Sequence, residues 1–484
     1  MGPDPCAVCA IHGRRVDVVQ SNQSPVDGQH VAALRELIDP DGRSGKVQDS
    51  EEIRLAYCRD FGPREDDFLP ALVVFAECVE DVQAVLAYAN DHAVPVIARG
   101  AGTGVSGGVN ASEHCIVLSL ERMDRILEIR PEDEVAVVEP GVVNGDLGDA
   151  VAEYGLMYAP DPASYRQSTI GGNVATNAGG LRCAKYGVTR DSVLGLDVVL
   201  ADGTLLHTGR STFKGVAGYD LTSLFVGSEG TLGVVVSVTV RLRYLSPESR
   251  SIAAFFPSVE AAAAGVLAVG RHRVQPVIME FLDAGTMAVI DAGFGTDLAS
   301  KGGALLLVQT DGHGARIEEA IVREALTELG AQLAEADDGM AVRLIDMRRS
   351  SRGDIQDDEY RVGEDVAVPR SQLVAYVHRL TEIATERGVM LRIVAHAGDG
   401  NLHPTFWVSP EDGADGLERL ALALDESVRG ALDAGGTITG EHGVGQFKRR
   451  WLGWEQQDEV LELQRQIKKL FDPHGILNPG KAIL

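Results

Sequence analysis

A chain of 484 residues, 45% hydrophobic and 24% charged, exceeds the size at which one hydrophobic core keeps growing, so two or more globular domains are expected. A formal net charge of −27 opposes nucleic acid and anionic membrane surfaces, and no stretch approaches the roughly 18 consecutive apolar residues of a membrane helix. The amino terminus shows neither a basic start nor an apolar run of signal-peptide length, and Cys6, Cys9, Cys58, Cys78, Cys115 and Cys183 form no dense disulfide framework, so a reduced, cytoplasmic protein is expected.

The first stretch is rich in Ser, Asn, Gln, Asp, Pro and Gly and reads as a loose leader. Cys6-x-x-Cys9 with His12 offers part of a metal site, but no second cysteine pair follows at zinc-ribbon spacing. From Ala71 the pattern turns regular. Leu72-Val73-Val74-Phe75 predicts a strand, Val82, Val85, Leu86 and Ala89 at helical spacing predict a helix, and Val94-Pro95-Val96-Ile97 predicts another strand. Further strands are predicted at Ile116–Leu118, Val135–Val138, Leu196–Leu200 and Leu232–Val236. Around Ser246-Pro247-Glu248 the glycine punctuation thins, and helices are predicted over Ser258 to Gly270 and Arg316 to Leu329. The fold class expected is α+β in two domains. The boundaries are a leader and N-terminal helix over 1–60, a first domain over 61–246, a second over 247–453, and a segment over 454–484 that returns to the first.

Arg99-Gly100-Ala101-Gly102-Thr103-Gly104-Val105-Ser106-Gly107-Gly108 contains a formal G-x-G-x-x-G match, which alone is weak. A nicotinamide site needs a helix directly after such a loop, to meet the pyrophosphate with its N-terminus. Here the chain runs instead into another strand from Cys115. What remains is a row of backbone N–H groups without side chains, suited to surround a cofactor diphosphate. A flexible surface loop is the competing reading. A second glycine block, Ser168-Thr169-Ile170-Gly171-Gly172-Asn173-Val174-Ala175-Thr176-Asn177-Ala178-Gly179-Gly180, favours a ligand long enough to touch both.

These blocks, with Pro160-Asp161-Pro162-Ala163-Ser164, Lys185-Tyr186-Gly187 and Gly227-Ser228-Glu229-Gly230-Thr231-Leu232-Gly233, resemble the FAD domain of the vanillyl-alcohol oxidase superfamily. Within it they look like the group of glycolate oxidase FAD subunits, D-lactate dehydrogenases and D-2-hydroxyglutarate dehydrogenases, over residue 65 to the C-terminus. The resemblance implies an FAD-binding domain, an α+β cap domain for substrate, and an extended FAD with its diphosphate on the 99–108 loop. The cofactor-binding residues it implies are Arg99, Gly100, Ala101, Gly102, Thr103, Gly104, Ser106, Gly107, Pro160, Asp161, Ser168, Thr169, Gly171, Gly172, Asn173, Ala175, Asn177, Glu229, Gly230 and Gly233. Some relatives tether flavin through a histidine in the glycine loop. No histidine lies between Arg99 and Asn110, so non-covalent FAD is expected.

The second domain carries Val394-Ala395-His396-Ala397-Gly398-Asp399-Gly400-Asn401-Leu402-His403-Pro404, a hairpin signal with an Asp-Gly turn between two histidines. Further on, Gly440-Glu441-His442-Gly443 sets a Glu-His pair between glycines. Two histidines and a carboxylate suit a divalent metal, zinc first, with manganese or iron as alternatives. Histidines satisfied by hydrogen bonds in a turn would account for either segment alone; both together favour the metal. The resemblance places ligands at His396, His403 and Glu441 and a general base at His442. It also places a carboxylate-binding arginine at the spacing of Arg348 upstream of Glu364-Asp365, where the competing reading is an Arg-rich helix face. Members acting on 2-hydroxyglutarate carry a lysine where Gly363 stands, which argues against a dicarboxylic substrate.

The expected activity is FAD-dependent oxidation of a small 2-hydroxy acid, of D-lactate or glycolate type. No iron–sulfur cysteine pattern is present, so the electrons are expected to leave to a separate acceptor: a quinone, a cytochrome, an iron–sulfur subunit or oxygen. A homodimer is left open. Two alternatives share the cofactor domain. A transferase resembling alkyl-dihydroxyacetone phosphate synthase would carry consecutive histidines, which this chain lacks. A non-catalytic electron-transfer subunit would have no need of the His396/His403 and Glu441/His442 pairs.

Overall fold

Strands apolar at every position need cover on both faces. Leu72–Phe75 and Ile116–Ser119 are buried throughout, and Val96–Arg99 nearly so. The computed structural model describes residues 28–62, 68–334, 338–350 and 360–483; Cys6, Cys9 and His12 lie outside the described residues. The chain divides into two compact units. One takes in 28–179, Val188–Leu245 and 442–483, and the other Gly180–Gly187 and Ser246–Glu441.

In the first unit, among the described residues, β1 (Val47–Gln48), β2 (Leu72–Phe75), β3 (Val96–Arg99) and β4 (Ile116–Ser119) form a sheet in the order β1-β2-β4-β3. β2 and β3 each run parallel to β4. A parallel pair needs a crossover, and the helix Val79–His92 belongs to it. Its buried Val82, Val85, Leu86 and Ala89 are the residues whose spacing predicts it. They share a core with Leu72, Val74, Val96, Ile116 and Leu118. A second, antiparallel sheet follows from β5 (Ile126–Arg130), β6 (Val135–Val138), β7 (Val193–Val199), β8 (Leu205–Gly209) and β9 (Val234–Arg241), in the order β5-β6-β9-β7-β8.

The other unit is built on one antiparallel sheet. Its strands are β10 (Ser249–Phe256), β11 (Ile278–Asp283), β12 (Ala304–Asp311), β13 (Gln332–Leu333), β14 (Tyr360–Gly363), β15 (Val366–Ala367), β16 (Met390–His396) and β17 (Asn401–Val408). The order is β13-β10-β12-β11-β16-β17-β14, with β15 also on β17. In β17, Leu402, Pro404, Phe406 and Val408 are buried while His403, Thr405 and Trp407 are half-buried. This period-two pattern sends the apolar set toward the helix Gly413–Asp433 and His403 to the opposite face. Among the described residues no helix is long and apolar enough to cross a membrane.

Candidate functional site

β16 and β17 form the hairpin that positions both predicted histidines. The turn is a four-residue loop, Ala397 to Gly400, longer than a bare Asp-Gly pair. His396 lies opposite Asn401, and Val394 lies opposite His403. Opposite residues share a face, as do residues two apart along a strand, so His396 and His403 project to the same side. Their ring centroids are 5.1 Å apart. Glu441 completes the group: its Oε1 stands 3.0 Å from His396 Nε2 and 3.3 Å from His403 Nε2. The three donor atoms lie within 4.8 Å of one another.

Asp365, fully buried, sets the Glu441 backbone by accepting from the N–H groups of Gly440 and Glu441 at 2.9 and 3.1 Å and from Thr439 Oγ1 at 2.8 Å. At Gly440 a Cβ would fall 2.1 Å from Asn401 Oδ1, so only glycine lets this segment pass so close to β17. Burial penalises charge at both His396 and Glu441, but their mutual contact wins. Glu280 and Glu441 hold His396 well above its ordinary value, while the histidines hold Glu441 well below the carboxylate range. Asp399, in the hairpin loop, is pushed up to about 6, chiefly by burial. Two imidazole nitrogens and a carboxylate oxygen, one buried and two half-buried, with further carboxylates close by, fit a divalent cation.

Arg348, on the helix Asp338–Ser350, is buried and pairs through Nε with Glu280 Oε2 at 3.1 Å. Glu280 Oε1 also meets His396 Nδ1 at 2.6 Å. Glu280 thus links His396, and through it the Glu441 and His403 group, to Arg348, and the sequence pattern does not single it out. Glu280 lies within a wholly buried strand and its histidine partner is 116 residues away, so no local spacing announces it.

In the other unit the two glycine blocks touch. A Cβ on Gly100 would fall 2.3 Å from Thr169 Oγ1, so the close approach of the loop to the second block requires glycine there. Thr169 caps the short helix Ile170–Thr176, accepting from the Gly172 N–H at 3.3 Å. Asp60 accepts from the Gly62 and Gly108 N–H groups at 2.8 and 3.1 Å, and burial pushes its carboxyl up to about 6. A side chain at Gly104 would face Asp60, with its Cβ 3.2 Å from Oδ2. Among the described residues, the N–H groups from Ala101 to Ser106, Thr103 included, donate to no protein acceptor. Ser168 Oγ and Asn173 Nδ2 are likewise buried without a protein partner. Unanswered donors on the two predicted blocks fit a long cofactor rich in acceptors.

Several predicted cofactor residues also make contacts within the protein. The carbonyl of Pro160, next to buried Asp161, accepts from Asn144, Asn177 Oδ1 accepts from the Arg190 N–H, and Gly171 packs on Pro140. A side chain at Gly233 would strike Val198 in β7. Ala175 accepts from the Glu229 N–H, and the Glu229 carboxylate accepts from the N–H groups of Val444 and Gly445, both at 2.7 Å. Burial pushes Glu229 up to about 7. Ser106 Oγ donates to the His442 carbonyl at 3.0 Å. The glycine loop and Glu229 therefore hold the backbone on which His442 rides.

A family model described as FAD binding domain matches residues 70–209, and one described as FAD linked oxidases, C-terminal domain, matches residues 245–482. The chain is 39% identical over 439 residues to glycolate oxidase subunit GlcD of Bacillus subtilis, covering 90% of this chain and 93% of that protein. It is 37% identical over 407 residues to the D-lactate dehydrogenase of Archaeoglobus fulgidus, covering 84% and 89%. Among solved structures, 4-ethylphenol oxidase from Gulosibacter chungangensis superposes with a TM-score of 0.75 at 21% identity, covering 95% of this chain and 98% of that one. At that identity the likeness shows the fold, which is of the vanillyl-alcohol oxidase type.

Proposed function

As the chain belongs to the FAD-linked oxidases and has their FAD-binding domain, we propose that it oxidises a small 2-hydroxy acid, of D-lactate or glycolate type, to the 2-oxo acid. The observation that carries this reading is the convergence of His396 Nε2 and His403 Nε2 on Glu441 Oε1, at 3.0 and 3.3 Å, with Arg348 tied to the same group through Glu280.

Oxidising a carbinol carbon removes a hydride and a proton. FAD, when bound, supplies the hydride acceptor. A divalent cation, zinc foremost, held by His396, His403 and Glu441 would polarise the substrate hydroxyl and carboxylate. His442 takes the hydroxyl proton, a task suited to a neutral imidazole near pH 7. Arg348 pairs with the substrate carboxylate. The two electrons then pass to a separate acceptor. The relatives named for glycolate and for D-lactate support a monocarboxylic substrate, as does Gly363, which stands on β14 opposite Thr405 and itself carries no charge.

Anaerobic mixing of the yellow protein with D-lactate, L-lactate, glycolate and D-2-hydroxyglutarate tests this. D-lactate or glycolate is expected to bleach the flavin, and D-2-hydroxyglutarate to do so poorly. Flavin that stays oxidised with every 2-hydroxy acid would refute the substrate class.

A further inference from the structure

We infer that Glu280 is a positioning residue that aligns two parts of the proposed site at once: the ring of the metal-ligand candidate His396 and the guanidinium of Arg348. The inference rests on the metal and substrate reading above.

An ionised carboxylate buried without partners is costly, and Glu280 is 0% exposed in a strand whose every residue is buried. An apolar residue would suit that position as well, unless the charge has a task. The register of the sheet supplies one. β11 pairs with β16 so that Glu280 lies directly opposite His396, and the cross-strand contact brings Oε1 to 2.6 Å from Nδ1. With Nδ1–H donating to Glu280, the neutral form of His396 that a cation requires carries its lone pair on Nε2, the nitrogen that faces Glu441. The second oxygen of the same carboxylate stands 3.1 Å from Arg348 Nε. This ion pair keeps the guanidinium beside the carboxylate that also meets His396. Asp365 makes a useful contrast. Its bonds go to Thr439 and to the backbone at Gly440 and Glu441, so it anchors a loop, whereas Glu280 touches a candidate ligand and the candidate substrate arginine together.

The test uses Glu280→Gln, which keeps shape and removes charge, in the full flavin-loaded chain. Zinc affinity is read by competition with a chromogenic chelator, and KM for D-lactate is read with zinc saturating. Zinc affinity is expected to fall about 10–100-fold, as for other lost partners of ligating histidines. KM is expected to stay raised after zinc saturates, with FAD content unchanged. Asp311→Asn is the control, because Asp311 is a buried carboxylate of the same sheet that pairs with Lys185 and Tyr186; it is expected to change neither quantity. Wild-type zinc affinity in Glu280→Gln overturns the proposal, and so does an equal zinc loss in Asp311→Asn, which would mark a general loosening of the domain. A KM that returns to wild type at saturating zinc overturns the Arg348 half. If Glu280→Gln does not fold, Glu280→Asp keeps the charge but draws it back from His396, and unchanged zinc affinity there refutes the role. A wild-type chain that takes up no zinc at all overturns the underlying reading, a result distinct from all of these.

Discussion

One peptide bond separates Glu441 from His442, yet the two are assigned different tasks and so predict different failures. Glu441 offers one of three donor atoms within 4.8 Å, and Glu441→Gln is expected to lose metal first and rate as a consequence. His442→Ala is expected to keep metal and FAD while flavin reduction slows by ~10²-fold or more, the usual loss for a general base. Metal analysis beside anaerobic stopped-flow separates them, and wild-type reduction in His442→Ala would move proton abstraction to another residue. Glu229 predicts a pH dependence. Its carboxyl is raised from 4.5 to about 7 by burial, so the native state favours the protonated form. The stability it contributes is full below 4.5 and is lost as the pH rises through about 7. Glu229→Gln should therefore show a melting temperature that falls less steeply than wild type between pH 5 and 8; parallel slopes would contradict the shift. At this scale the sequence made His396, His403, Glu441 and His442 legible through their glycine neighbours. Glu280 was hidden because its partners come from a distant strand and a distant helix.

The elements divide in the same way. The helix Val79–His92 and the strands around it were readable because one stripe, or one short run, is apolar. β11 and β12 are likewise buried almost throughout, but an apolar run broken by Glu280 and Asp283, or one as leucine-rich as Leu305–Leu307, does not distinguish a buried strand from a buried helix, and the pattern predicts neither. The hairpin was readable from its turn residues, but the pairing of its strands was not. That register decides the site, because it sets His396 and His403 on one face. Exchanging residues between faces tests it. Leu402→His/His403→Leu keeps composition but moves an imidazole to the core side, and it should lose zinc. Val394→His/His403→Val keeps the imidazole on the same face, directly opposite its original place, and should retain weaker zinc binding. Equal zinc contents in the two variants would mean that the strand face does not determine the ligand set.

Across the whole molecule, the candidate metal ligands and the candidate cofactor groups fall in different compact units. His396, His403 and Glu441 belong to the unit containing Ser246–Glu441, while both glycine blocks belong to the one containing 28–179. Each unit has its own buried core, one around Leu282, Leu305 and Leu307 and others around Leu86, Ile116 and Phe225. Two ligands whose contacts lie in separate cores should be removable one at a time. Treatment with a strong chelator is expected to take out the metal and abolish turnover of D-lactate while the flavin absorbance stays with the protein. Readdition of zinc is expected to restore the rate without added FAD. The converse follows from the same division: acid release of FAD, followed by return to neutral pH, should leave a colourless chain that still binds zinc with its original affinity. Metal content, bound flavin and rate measured on each preparation decide the matter. Flavin that leaves with the metal would show that the two sites depend on each other, and full activity after verified metal removal would withdraw the metal from the reaction while leaving the FAD-linked oxidase assignment in place.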